Sequence, residues 1–267
     1  MTQIVFKDYK NIKQTIEFLY EDDNMIVVNK PAHLPVIPDR FDTYNYNLRD
    51  IVKKHLRKEN SSADLYVVHR IDIDTTGLVL LAKNELYHKK LNELFKNRNI
   101  AKTYLALVCG HLPEKQGQIN KPILKTTRKM IIHEKGKSSQ TAYEVLEEFE
   151  HYSLVQLKPL TGRTHQLRVH LKSVGCPLMV DALYGKNEAF FLHQIKNNFR
   201  YKDQQVPKPL SARLTLHAHK LSFSDPLEKT RYDFEAPIPK DFMAVLKSLR
   251  KYNSVDSRQN AGKKETA

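Results

Sequence analysis

The stretch VVHRIDIDTTGLVLLAK (residues 67–83) places a polar connector between two apolar ends. The ends favour short β-strands, because apolar runs of this length bounded by turn residues are typical of buried strands. Polar loops held by rigid strands often carry catalytic groups, so Asp72 in the connector is a candidate carboxylate. An Asx-turn, in which Asp74 or Thr75 caps local amides and Gly77 supplies a positive φ, explains the same residues without any chemistry.

The rest of the chain alternates between helical and strand-like patterns. Apolar residues recur at helical spacing in residues 41–64, 85–97, 167–174 and 242–249. Apolar segments favour strands at residues 24–29, 103–108, 140–149, 152–158 and 214–223. Strands outnumber helices and βαβ units are few, which predicts an α+β protein with a largely antiparallel sheet. We interpret residues 1–17 as a polar arm and residues 251–267 as a disordered tail.

The charge balance indicates an anionic partner. The chain has 44 Lys and Arg against 30 Asp and Glu, a net charge of +14. Such a field attracts phosphates, so we expect nucleic acid, and a merely well-solvated surface is the alternative explanation of the charge. No apolar run approaches the roughly 18 residues of a membrane span, and no signal-peptide core begins the chain. These absences predict a cytoplasmic protein without a membrane partner.

Metal and disulfide chemistry find no support in the sequence. Cys109 and Cys176 lie far apart and neither has a CxxC partner. Twelve histidines are present, but none forms an HExxH pair. We therefore expect no structural disulfide and no metal site.

Basic and polar side chains crowd the segment KPLTGRTHQLRVH (residues 158–170). Arg163, His165, Gln166 and Arg168 lie at the start of the predicted helix, and helix N-termini attract phosphate. If Arg168 reaches an active carboxylate, it lowers the pKa of that group by about 1–3 units. A solvated basic helix face accounts for the same residues.

An aromatic residue occupies the predicted strand AKTYLALV (residues 101–108). Tyr104 near a carboxylate could stack on a nucleobase, which contributes about 1–3 kcal/mol. A tyrosine in a strand is more often a core residue, so this signal is not specific by itself.

Taken together, the ordered blocks resemble the RluA-type pseudouridine synthases. The blocks are VVHRIDIDTTGLVLLAK, KTYLALVCG, LTGRTHQLRVHL with GCPLMVDALYG, and RLTLHAHKLSFSDP, preceded by YEDDNMIVVNKPAHLPVIP. The resemblance spans residues 18–238 and implies a catalytic domain at residues 18–250. The implied fold is a mixed, mainly antiparallel sheet in two halves flanked by helices, with a central cleft.

The resemblance also implies roles for individual residues. Asp72 would be the catalytic aspartate and Arg168 would pair with its carboxylate. Tyr104 would stack on the target uracil and contribute to proton chemistry on the base. Arg70 would help hold the duplex open where the uridine leaves.

The implied reaction is isomerisation of uridine in structured RNA. It breaks the C1′–N1 bond and rejoins the uracil through C5, so it needs neither cofactor nor metal. The carboxylate could act as a nucleophile or as a base at the sugar. We expect 23S rRNA as the substrate, with tRNA as a second target, and a monomer without an obligate protein partner. The alternatives are a non-catalytic RNA-binding or RNA-folding module on the same fold and a DNA-binding or nuclease protein.

The segment from Lys121 to Lys137 is a candidate RNA-contact strip, because it has six Lys and Arg against one Glu. An exposed hairpin without a binding role explains it equally. The full set of predicted RNA-binding residues is Arg70, Arg163, His165, Gln166, Lys125, Arg128 and Lys129.

The chain departs from the family pattern at several positions. The 17 residues before the first block are too few for the S4 RNA-binding domain that many relatives carry. Thr76 stands where the family usually has Ser. His33 and Val180 stand where Gly is usual, and Val180 would be strained if its backbone needed a positive φ.

Overall fold

The computed structural model describes residues 2–8, 11–38, 46–196, 199, 207–225, 227 and 230–254. The chain divides into two compact units. The first unit comprises Met1–Tyr104 and His217–Pro237, and the second comprises Leu105–Leu216 and Ile238–Ala267. No helix among the described residues is long and apolar enough to cross a membrane.

The elements follow in chain order. The strands are β1 Gln3–Lys7, β2 Lys13–Glu21, β3 Met25–Lys30, β4 Tyr66–Val67, β5 Thr76–Ala82, β6 Ala101–Cys109, β7 Gln116–Asn120, β8 Ile123–Lys125, β9 Met130–Ile132, β10 Gln140–Glu148, β11 Tyr152–Pro159, β12 Leu216–Ser224 and β13 Arg231–Glu235. The α-helices are α1 Leu48–Leu56, α2 Glu85–Lys96, α3 Gln166–Ser173 and α4 Lys240–Tyr252, and a short 3-10 helix spans Leu192–Gln194.

β5 is the central strand of the first unit. All seven of its residues are buried, as expected for a strand covered on both faces. Val79 and Leu81 pack on one side against α1, and Leu78 and Leu80 pack on the other against α2. β1, β2, β3 and β5 form an antiparallel run. β12 pairs in parallel with the beginning of β5, while β4 pairs with its end.

In the second unit the strand order is β6, β11, β10, β7, and β8 with β9 forms a separate hairpin. α4 shares an apolar cluster with Leu105, Leu107 and Leu154. The β8–β9 hairpin packs on α3 through a smaller cluster that contains Ile123 and Val169. α3 is therefore held between the sheet and the hairpin.

The predicted α+β class with a mainly antiparallel sheet is confirmed, and so are the four predicted helices. α1 is shorter than the predicted segment, part of which lies outside the described residues. The segment interpreted as an arm contains β1 and the beginning of β2, where Ile4 and Phe6 pack against the core. α4 continues to Tyr252, and the rest of the predicted tail from residue 255 lies outside the described residues.

Candidate active site

The predicted catalytic loop joins β4 to β5 in the first unit. Its turn is closed by the Thr75 N–H, which donates to the Asp72 carbonyl at 3.1 Å. Asp72 itself is half-buried. The Thr75 hydroxyl is buried and has no hydrogen-bond partner in the described part of the chain, so Thr75 does not cap an amide there. The Asx-turn explanation therefore loses one of its two candidate caps.

Gly77 ends this loop in a conformation that other residues rarely adopt. Its φ is +109°, and a Cβ there would lie 2.1 Å from the Ala218 carbonyl oxygen. Only glycine allows β12 to approach so closely. Beside this contact the Thr76 hydroxyl lies 2.9 Å from His217 Nδ1. The hydroxyl that Thr76 shares with the usual serine is thus used in packing the two parallel strands.

A buried lysine, Lys30, holds the backbone of the loop through hydrogen bonds. The Lys30 side chain is fully buried, and its Nζ donates to the carbonyls of Pro31, Leu34 and Ile73 at 2.8, 2.9 and 2.8 Å. Ile73 directly follows Asp72, so the ammonium ties the backbone beside the candidate carboxylate to the end of β3. In the sequence, Lys30 is marked only by its place directly after the apolar run MIVVN, which does not predict this role.

His33 forms a second link to the loop. His33 Nδ1 lies 2.7 Å from Asp74 Oδ1, and the Leu34 N–H donates to the Ile73 carbonyl at 3.3 Å. His33 has a φ of 58°, which agrees with glycine being usual at this position. Val180 is not among the positive-φ residues of the described ranges, so the expected strain there does not arise.

His69 is held as a neutral ring before Asp72. The Leu80 N–H donates to His69 Nε2 at 2.9 Å, and the ring stacks on Phe95 with centroids 4.7 Å apart. Burial, helped by the charge of Lys102, lowers the pKa of His69 to about 3. A ring nitrogen that accepts a backbone bond in this setting is not a proton donor at neutral pH.

Tyr104 belongs to the part of β6 that lies in the first unit. Its side chain is half-buried. Burial raises the pKa of the phenol, and the negative charge of Asp72 raises it further. The phenol therefore stays neutral throughout the physiological range. The first unit thus brings together two predicted catalytic residues, the Asp72 carboxylate and the Tyr104 ring.

Arg168 lies in the second unit, on α3, and its guanidinium is almost fully buried. Its Nε and Nη2 donate to the two carboxylate oxygens of Asp181, each at 2.8 Å. The guanidinium also lies over the Tyr184 ring, 4.9 Å from the centroid. Burial raises the pKa of Asp181, but the Arg168 bonds and charge and the N–H groups of Leu183 and Tyr184 outweigh it and lower the pKa.

Asp181 and Tyr184 orient Arg168, yet sequence reasoning gave neither a role. Both stand in the block GCPLMVDALYG, which contributed to the family resemblance without a chemical assignment. A carboxylate in an apolar segment was the available signal, because buried charges need a partner.

The other predicted residues around α3 divide into two groups. Gln166 is buried, and its amide accepts from Thr161 Oγ1 at 2.7 Å and donates to the Gln140 carbonyl at 2.8 Å. This leaves Gln166 holding the loop before α3 rather than facing RNA. Arg163 is half-buried and donates to the Ser138 carbonyl at 3.2 Å.

His165 precedes α3 with a φ of 52°. Its Nδ1 lies 2.9 Å from the Tyr184 hydroxyl, which also accepts the Met130 N–H at 3.0 Å. The Tyr184 hydroxyl therefore connects the start of α3 to the beginning of β9 in the hairpin.

The candidate RNA-contact strip contains the β8–β9 hairpin. Lys125, Arg128 and Lys129 are all exposed around its turn, where Thr126 Oγ1 donates to the Lys129 carbonyl at 2.7 Å. The alternative explanation of the strip was an exposed hairpin without a binding role. The strip does contain a hairpin with an exposed turn, and the apolar side of this hairpin packs on α3. Arg70 is exposed in the first unit, on the loop before Asp72.

Comparison with known proteins shows which family shares these features. The model of the RNA pseudouridylate synthase family matches residues 24–173. A ribosomal large subunit pseudouridine synthase C from Buchnera aphidicola is 35% identical over 86% of this chain and 70% of its own length. The dual-specificity RNA pseudouridine synthase RluA from Pasteurella multocida is 33% identical over 83% of this chain and 93% of its own length.

Solved structures agree with the sequence matches. Human RNA Pseudouridylate Synthase Domain Containing 4 has a TM-score of 0.66 at 25% identity, covering 87% of this chain and 92% of its own. Human RNA Pseudouridylate Synthase Domain Containing 1 has a TM-score of 0.62 at 28% identity, covering 92% and 94%. The fold is thus that of an RNA-modifying isomerase. The chain belongs to the RNA pseudouridylate synthase family, whose reaction converts uridine to pseudouridine in RNA.

Proposed function

We propose that this chain isomerises specific uridines in large-subunit ribosomal RNA, with tRNA as a second target, and that Asp72 is the catalytic carboxylate. The observation that carries the assignment is the Asp72 turn: a half-buried carboxylate beside Tyr104, on a backbone anchored by the buried Lys30 ammonium. A rigid support of this kind suits a group that must meet one atom of the substrate.

The chemistry requires little else from the protein. The C1′–N1 bond breaks, the uracil turns, and a C1′–C5 bond forms, while C5 loses a proton and N1 gains one. No atom enters or leaves the RNA overall. Asp72 would act at the sugar either as a nucleophile or as a base, and an ionised carboxylate can do both.

Tyr104 and Arg168 complete the proposed catalytic set. A neutral phenol can stack on the uracil without adding charge, and the raised pKa of Tyr104 keeps it neutral. Arg168 is the predicted partner of the Asp72 carboxylate. Comparing Asp72→Asn, Arg168→Lys and the double variant in a thermodynamic cycle of unfolding free energies tests that pairing, because independent residues would give additive changes.

The substrate assignment is supported by the relatives' names and by charge. Two similar proteins are named as a ribosomal large subunit synthase and as a dual-specificity RNA synthase. The net charge of +14 favours a polyanion. The proposed contacts are the exposed or half-buried residues Arg70, Lys125, Arg128, Lys129, Arg163 and His165. Extruding a paired uridine costs a few kcal/mol, which phosphate contacts would offset.

The decisive test compares Asp72→Asn with a control that loses the same charge elsewhere, Asp23→Asn, whose side chain is exposed. We expect Asp72→Asn to bind an rRNA transcript with near wild-type affinity and to form no pseudouridine, while Asp23→Asn stays active. Equal product from Asp72→Asn and the wild type would end the catalytic assignment. RNA binding without product in the wild type would support the alternative, a non-catalytic RNA-binding module.

The target is identified by mapping pseudouridines in rRNA and tRNA from cells with and without the gene. We expect at least one large-subunit rRNA site to disappear on deletion and to return with the wild-type gene but not with Asp72→Asn. Loss confined to tRNA would contradict the proposed primary substrate while leaving the proposed catalytic residues intact.

A further inference from the structure

Lys102 is a half-buried cation on β6, the strand that carries the proposed stacking residue Tyr104. It precedes Tyr104 by two positions on β6, and side chains two apart on a strand share one face. Its Nζ lies 5.8 Å from the centroid of the Phe95 ring. Among the residues that the structure describes, no carboxylate forms an ion pair with Lys102.

The surroundings of Lys102 make its charge unusual. Burial lowers the pKa of the ammonium, and the Lys102 charge in turn contributes to the low pKa of His69. The Phe95 ring contacts both groups, since it also stacks on His69. A cation over an aromatic face recovers only part of the cost of burial. In the described part of the chain, no carboxylate is paired with the half-buried charge of Lys102 to balance it.

A packing role does not account for the ammonium. A lysine stem can cover an aromatic ring while its head reaches water, but methionine or leucine would cover Phe95 without the cost of the charge. In contrast, the exposed cations on α2 include Lys89, which pairs with Glu85 at 2.8 Å. Within the described ranges the half-buried Lys102 has no such ion pair, whereas the exposed Lys89 has one.

We infer that Lys102 binds a backbone phosphate of the RNA next to the uridine that enters the site. This inference rests on the proposed function, because it takes Tyr104 as the residue that stacks on the uracil. Residues 102 and 104 are about 7 Å apart along the strand. A ribose can bridge a stacked base and its phosphate over that distance. A phosphate would supply the missing anion, and a lysine serves as a point charge for it.

The test replaces the charge while keeping the stem. Lys102→Met removes the ammonium, Lys102→Arg retains a cation, and Lys96→Met is the matched control on the exposed surface of α2. We expect Lys102→Met to weaken binding of an rRNA stem-loop about tenfold and to lower the log–log salt slope by about 1. Lys102→Arg should bind within about threefold of the wild type, and Lys96→Met should leave affinity and slope nearly unchanged.

The steady-state parameters separate binding from a structural defect. A contact made equally in the ground and transition states raises KM and leaves kcat nearly constant. A damaged fold would instead lower kcat and the melting temperature. The NMR titration of His69 gives a readout independent of RNA: its pKa should rise in Lys102→Met because a neighbouring positive charge is gone. An unchanged affinity in Lys102→Met would overturn the inference.

A chemical probe locates the phosphate. Single neutral methylphosphonates are introduced at each linkage within two nucleotides of the mapped uridine, and affinity is measured for the wild type and Lys102→Met. At one linkage the neutral group should weaken the wild type and have no further effect on the variant. Strictly additive effects at every linkage would overturn the inference. The same binding measurements in the Asp72→Asn background do not depend on turnover. A failure of the Lys102 inference can therefore be distinguished from a failure of the catalytic proposal.

Discussion

Arg168 and Asp181 form a parallel ion pair in the second unit, with Nε–Oδ2 and Nη2–Oδ1 distances of 2.8 Å. Both side chains are nearly inaccessible to solvent. Asp181 Oδ1 also accepts the N–H groups of Leu183 and Tyr184, each at 3.0 Å. The orientation of the guanidinium is therefore set by a carboxylate that belongs to a loop, and this carboxylate is in turn held by the backbone.

Asp181→Asn should destabilise the protein strongly, because it removes the negative charge that accepts two hydrogen bonds from the buried Arg168 guanidinium. Breaking one partner of a buried pair costs about 3–5 kcal/mol. The measurement is urea unfolding followed by circular dichroism. Asp233→Asn is the matched control, since Asp233 pairs with Arg231 at 2.8 Å on an exposed strand and should matter little. Equal losses in both variants would contradict the role given to burial.

The same pair predicts a pH dependence. The folded pKa of Asp181 lies below its unfolded value near 3.8, so the ionised group stabilises the fold above that pH. This stabilisation is lost as the pH falls through the folded pKa. The difference in unfolding free energy between wild type and Asp181→Asn should therefore be constant from pH 7 to 5 and shrink below pH 4. A difference that grows on acidification would contradict the sign.

Protonation of His69 causes a second, separate loss of stability on acidification, which cancels when the wild type is compared with Asp181→Asn. Its folded pKa of about 3 lies below the ordinary 6.5, so the unfolded chain takes up a proton first and stability falls as the pH drops below 6.5. Because His69 is present in both proteins, its contribution cancels in their difference.

Lys30→Met should lower both stability and turnover. The variant removes the ammonium that donates to the carbonyls of Pro31, Leu34 and Ile73, and each buried carbonyl left unsatisfied costs about 1–3 kcal/mol. The Ile73 carbonyl keeps the Leu34 N–H as a donor. Because Ile73 adjoins Asp72, we expect kcat to fall at temperatures where the variant is still folded. Lys83→Met is the control, because the Lys83 ammonium does not contact the loop but donates to the Asp22 carbonyl at 2.6 Å. In this variant kcat should be retained. A normal kcat in Lys30→Met would show that the Lys30 contacts to the loop are not needed for turnover.

His33 tests the cost of a left-handed backbone. His33→Ala and His33→Gly both lose the ring bond to Asp74, but only glycine accepts a φ of 58° without strain. We expect His33→Gly to be more stable than His33→Ala by about 1 kcal/mol in thermal unfolding. At His88, within α2, the order should reverse because glycine weakens helices by a similar amount. The same order at both positions would exclude the backbone explanation.

Local patterns predicted most of the fold. The helical spacing in α1, α2 and α4 and the apolar run of β5 are short-range signals that tertiary context did not override. β1 and β2 were missed because polar and charged residues such as Gln3, Lys7 and Lys13 stand among the apolar ones and made the segment resemble a polar arm. β13 was missed for a similar reason, since its alternating RYDFE pattern is mostly charged.

The candidate site was predicted unevenly. Asp72, Tyr104 and Arg168 were identified because their blocks resemble a known family, and their catalytic roles remain proposals. Asp181 and Lys30 carry no such label, and their importance depends on burial, which no local pattern reports. Gln166 was expected to contact RNA, but its amide is directed into the loop that it holds.

By itself the sequence determined the family, the α+β class, the basic character and the position of the candidate carboxylate, because these depend on residue identity and short-range periodicity. Only the tertiary structure decided which polar groups are buried together. Lys30 meets Ile73 across 43 positions, and Arg168 meets Asp181 across 13. Such pairings depend on how the elements pack. Burial makes a few of these ionic contacts important for stability, and the amino-acid composition does not show which charges are buried.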